Sequence, residues 1–123
     1  MNQLEFSFEQ KFPNLVAQAD VNQEDLTTII QLGFKNSRYK CWIEYNPDYG
    51  YVVGINQEHI HFDAGKKEAW DYFEEIVNDH IAIVGLCDQE VDFVLGVFEL
   101  EVALSCYLQE QPKVEIETFT KSH

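Results

Sequence analysis

A chain of 123 residues has the length of one domain, and its 46% hydrophobic and 14% aromatic content excludes a disordered acidic chain. Against 8 Lys and Arg stand 22 Asp and Glu, for a formal net charge of -14 at pH 7. A field of that sign repels nucleic acid and anionic membranes, which excludes direct binding to either, and it draws in basic protein surfaces.

Leu4, Phe6 and Phe8 alternate with Glu5, Ser7 and Glu9, a pattern compatible with a short strand ended by Pro13. Asp20 or Asn22 then caps an expected helix running to about Gly33, with Leu26, Ile29 and Ile30 on one face. Residues 38–46 predict a strand with Tyr39, Cys41, Ile43 and Tyr45 on one face and Lys40, Trp42 and Glu44 on the other. The turn composition of residues 46–50 leads to a second strand over 51–55. Asn56-Gln57 connects that to a third over 58–62, and the three make an antiparallel meander.

A helix follows from about Gly65 or Lys66 to Asp79, its apolar stripe made of Ala69, Trp70, Phe73, Ile76 and Val77. Residues 81–86 read as a buried strand and 91–95 as its partner across a turn at Asp88-Gln89. Residues 99–111 fit both periods, and the ending Gln109-Glu110-Gln111-Pro112 favours helix over strand. After Pro112 comes a last strand with Val114, Ile116 and Thr118 inward. The order α-β-β-β-α-β-β-α-β over residues 1–123 predicts a single α+β domain: a largely antiparallel sheet with helices packed on one face.

Cys41, Cys87 and Cys106 are odd in number, and their spacing suits neither a disulfide framework nor a zinc site. They read as buried thiols of a cytoplasmic protein. The first six residues lack the pattern of a signal peptide, and no apolar run approaches the ~20 residues of a membrane span.

Enzyme signatures are missing. The six glycines are scattered, so no phosphate loop is written, and there is no nucleophile elbow, HExxH or EF-hand loop. No catalytic activity and no cofactor is expected. His59-x-His61 with Asp63 projects three ligand-type side chains from one strand face, but a fourth ligand is not identified, so the pattern reads as a polar face without metal. Trp42, Tyr49 and Tyr51 are either hairpin packing or exposed aromatic anchors.

The acids are unevenly placed, because no Lys or Arg occurs between Lys67 and Lys113. On the 66–79 helix, Glu68, Asp71, Glu75 and Asp79 step by three or four residues, with Glu74 beside them. Neighbours so spaced lie ~5–6 Å apart and form a row of negative charge. With Asp88, Glu90 and Asp92 as a second patch, these eight carboxylates are the candidate partner-binding surface. A merely solvated helix face is the alternative.

Three features together bear a family resemblance: the strand pair Cys41-Trp42-Ile43-Glu44-Tyr45 and Gly50-Tyr51-Val52-Val53-Gly54-Ile55, then Ile60-His61-Phe62-Asp63, then the helix from Lys67 to Ile76. From Lys40 to about Phe119 the chain resembles small immunity proteins of bacterial toxin systems, including those of contact-dependent growth inhibition. The resemblance implies a cytosolic, non-enzymatic protein that binds and blocks one cognate toxin domain, often a nuclease with a basic active site. It carries no functional positions over to this chain. The competing expectations are an acidic nucleic-acid mimic, a small metal-binding or enzymatic domain using His59, His61 and Asp63, and an adaptor with incidental acidity.

Overall fold

A computed structural model describes residues 2–33, 39–63, 65–87, 92–107 and 114–120. The class is α+β, and every strand pairing in it is antiparallel. The chain divides into two compact units, Met1–Phe73 and Glu74–His123.

The first unit opens on helix α1, Gln3–Lys11, where the alternation of Leu4, Phe6 and Phe8 is compatible with a strand. Asn2 caps it, accepting the Glu5 N–H at 2.9 Å, and Lys11 in the last turn suits the negative end of the helix dipole. Leu4 and Phe8 are one helical turn apart and buried, whereas Phe6 is 56% exposed. Helical spacing therefore explains all three residues. A 3-10 turn over Pro13–Gln18 follows.

Five strands make a meander with the spatial order of the sequence: β1 Ala19–Glu24, β2 Thr27–Gly33, β3 Lys40–Asn46, β4 Gly50–Ile55 and β5 Glu58–His61. The β1–β2 hairpin replaces the helix expected over 22–33. Leu26, counted toward a helical stripe, is 62% exposed in the turn, and the buried residues of β2 are Thr28, Ile30 and Leu32. The run Thr27-Thr28-Ile29-Ile30 is β-branched throughout, which favours a pleated strand over a helix. Asp25 starts the turn at φ 54, a conformation that Asp tolerates better than most residues.

Register aligns Leu32 with Cys41, Ile30 with Ile43 and Ile43 with Val53, so the fully buried residues of three strands share one face. The α1 cap reaches this face, because Asn2 Nδ2 donates to Thr28 Oγ1 at 2.9 Å. Phe8, Phe12, Trp70 and Phe73 make an aromatic cluster with ring centroids 5.4–6.3 Å apart. Burying one such ring stabilises by about 2–3 kcal/mol.

Helix α2, Lys66–Val77, runs through the boundary between the units. In the second unit β6, Ile81–Cys87, is flanked by β7, Asp92–Glu99, and β8, Val114–Thr118. Between β7 and β8 the chain forms α3, Leu100–Tyr107, which decides the ambiguous 99–111 stretch for helix as far as it is described. Ala82, Val84, Ala103 and Ile116 pack together, joined by half-buried Leu100 and Leu104. Thr118 is buried like Ile116, as expected for inward positions two apart. The order helix, strands, helix, two strands, helix, strand holds, with the first helix at Gln3–Lys11 and two further strands after it.

Candidate partner-binding surfaces

Of the eight predicted carboxylates, Glu68, Asp71, Glu74 and Glu75 are exposed on α2. The row is not free of basic neighbours. Lys67 Nζ bonds Asp71 Oδ2 at 2.7 Å, one helical turn away, and that hydrogen bond raises the Lys67 pKa. Asp79 lies beyond the helix at φ 62. It accepts the Thr120 N–H at 2.7 Å and the Thr120 hydroxyl, tying the helix exit to the segment after β8. Asp92 begins β7 opposite Cys87, and Asp88 and Glu90 lie outside the described residues. Glu75 meets acids outside the predicted set: with Glu99, Glu101 and His80 it lines an open groove of about 340 Å³.

A second acidic surface, absent from the sequence reading, occupies the turn end of the five-stranded sheet. Pairing of β2 with β3 sets the β1–β2 turn beside the β3–β4 turn, and Asn46 Nδ2 donates to Thr27 Oγ1 at 2.8 Å between them. Asn46 Oδ1 also accepts the Asp48 N–H at 2.7 Å, which shapes the second turn. Glu24, Asp25, Glu44 and Asp48 thereby line one open groove of about 480 Å³ together with Leu26, Ile29 and Tyr49. No Lys or Arg lines it among the described residues. Tyr49, 43% exposed, donates from its hydroxyl to Glu44 Oε2 at 2.6 Å, and this bond raises its pKa.

On the other side of the β3–β4 turn, Tyr45, Tyr49 and Tyr51 join Asp48 and Asp63 around a groove of about 690 Å³. Tyr45 and Tyr51 face each other across the strands with centroids 4.7 Å apart. Burial, and secondarily Tyr45, raises the Tyr51 pKa. Gly50 permits this geometry. It sits at φ 87, and a Cβ there would lie 1.5 Å from the Asp63 carbonyl oxygen.

The outward sheet face resolves the remaining sequence motifs. Trp42 is half-buried: its indole lies over Gly54, where a Cβ would come within 2.6 Å of the ring, and its N–H donates to the Asn56 carbonyl at 2.8 Å. His59 and His61 are exposed with ring centroids 5.0 Å apart. Among the described residues no group of three His, Cys, Asp or Glu is placed to hold a metal ion. Cys41 is a buried thiol whose pKa burial raises well above the ordinary value.

No family model, curated protein or solved structure matches this chain. Among the described residues no helix is long and apolar enough to cross a membrane.

Proposed function

We propose that this chain is an immunity protein of the cytoplasm that binds a basic toxin domain, most naturally a nuclease, and neutralises it by covering its nucleic-acid-binding face. One observation carries the reading: the acidic, tyrosine-bearing grooves on either side of the β3–β4 turn. Four carboxylates in one groove offer acceptors for Lys and Arg side chains. Leu26 and Tyr49 offer apolar and aromatic surface of the kind that anchors interfaces. The same tyrosine and Asp48 belong to both grooves, so a partner seated there engages both sides of the turn. The exposed acids of α2 add long-range attraction that speeds encounter and is screened by salt. Catalysis and a cofactor have no part in this activity.

The test is affinity capture of the full chain from its own cells at low and at moderate salt, with mass spectrometry of what is retained. One basic partner, inhibited in a nuclease assay by the wild-type chain, is the expected result. Two variants then locate the contact. Glu24→Lys with Asp48→Lys should slow association at least tenfold. Glu68→Lys, Asp71→Lys and Glu75→Lys together should act on the rate more weakly. Retention of many nucleic-acid-binding proteins, all displaced by added DNA, would replace the reading with nucleic-acid mimicry.

A further inference from the structure

The five-stranded sheet ends at β1, whose five residues from Asp20 to Glu24 are all exposed. Its hydrogen-bonding phase follows from the register. Glu24 and Thr27 close a two-residue turn, so Glu24, Asn22 and Asp20 exchange backbone bonds with β2. Val21 and Gln23 therefore aim their N–H and C=O groups at the open edge. The strand has no proline and no lysine, and its pairing with β2 runs without a bulge. The edge guards it does carry, the charges of Asp20 and Glu24, oppose an acidic incoming strand and not a basic one.

The side chains of this edge select among occupants. Asp20, Asn22 and Glu24 alternate along one face, and Asn22 and Glu24 reach the acidic groove. Val21 lies on the opposite face and is 45% exposed, although its neighbour Ile30 is fully buried. A second copy is a poor match, because pairing centred on Asn22 would set Asp20 directly opposite Glu24, and each chain carries a net charge of -14.

We propose that β1 is a docking edge that takes an extended, basic segment of the protein partner as a sixth strand. This rests on the reading of the chain as a binder of a basic protein and adds how that partner is held. The incoming backbone bonds Val21 and Gln23. Its Lys or Arg side chains fall opposite Asp20, Asn22 and Glu24, in the positions where side chains of facing strands approach most closely, and an apolar residue covers Val21.

The probe is a blocked seven-residue peptide alternating lysine and valine, titrated into the full chain by calorimetry and followed by amide exchange. A control peptide of the same charge carries N-methyl groups on its valine amides, which removes the donors to the Val21 and Gln23 carbonyls and crowds the approach to the edge. Binding of the first peptide, at least tenfold weaker binding of the second, and slowed exchange at Val21 and Gln23 are expected. Val21→Pro should weaken binding at least tenfold while keeping the fold, since that N–H takes no part in the β1–β2 pairing. Equal binding of both peptides, or none of either, overturns the docking edge. So does a concentration-dependent dimer that Val21→Pro abolishes, which would assign the edge to a second copy. Binding that survives both changes yet falls in the Glu24→Lys, Asp48→Lys variant would refute the edge and leave the basic-partner reading standing.

Discussion

The acids of α2 and those at the turn end of the sheet are alike in charge and different in setting. On the helix Asp71 is paired to Lys67 and Glu75 lines a groove that holds Glu99, Glu101 and His80 but, among the described residues, no Phe, Tyr or Trp ring, and just past the helix Asp79 is committed to Thr120. At the turns they line grooves with Leu26 and three tyrosines. A run of charge in sequence thus marks attraction at a distance, whereas a place to bind needs concavity and apolar surface beside the charge.

The contrast can be broken most forcefully at Gly50. Gly50→Ala drives a methyl group into the Asp63 carbonyl while removing no carboxylate. It should cost about 3 kcal/mol or more, read by urea denaturation, and abolish partner capture if the turn end is the contact. Asp79→Ala tests whether that acid is structural. Loss of the Thr120 bonds and a left-handed alanine should together cost about 2 kcal/mol, while Asp79→Asn should recover most of it.

Glu24→Lys with Asp48→Lys should lower the association rate tenfold and flatten its salt dependence, with thermal stability little changed. Tyr49→Phe removes the bond to Glu44 and sharpens the picture within the groove. Its expected cost in stability is below about 1 kcal/mol, with a measurable fall in affinity if a fixed Tyr49 ring anchors the partner. The smallest effect is alkaline. Because burial raises the Tyr51 pKa, the folded chain keeps that proton longer than the unfolded chain does. The contribution of Tyr51 is therefore complete below about pH 10 and is lost as pH rises through its folded value. Denaturation midpoints between pH 9 and 11 should fall in the wild type and fall less in Tyr51→Phe.

Much of the fold was legible because hydrophobic period and turn chemistry agreed. Residues 38–62 alternate between clear turn signals, and the stripe from Ala69 to Val77 has helical spacing. The β1–β2 hairpin was not legible, because its inward set includes a threonine and its exposed turn holds a leucine that completes a false helical stripe. Leu4 and Phe8 satisfy both periods, and only the exposure of Phe6 separates them. The turn-end groove left no local signal. Glu24 and Asp25 are about twenty residues from Glu44 and Asp48 in sequence and meet only through the pairing of β2 with β3. What sequence did offer was Tyr49, an aromatic inside a turn of polar residues.

The strand order of the two sheets also bears on how the chain folds. In the meander every pairing joins consecutive strands, so each hairpin closes over a short loop at little entropic cost. In the other sheet β8 must find β6 across β7 and α3, a closure more than twenty residues long. Pulse-labelled refolding should therefore protect amides of β2 to β4 before those of β8, and the turn-end grooves would be complete while the second sheet is still closing.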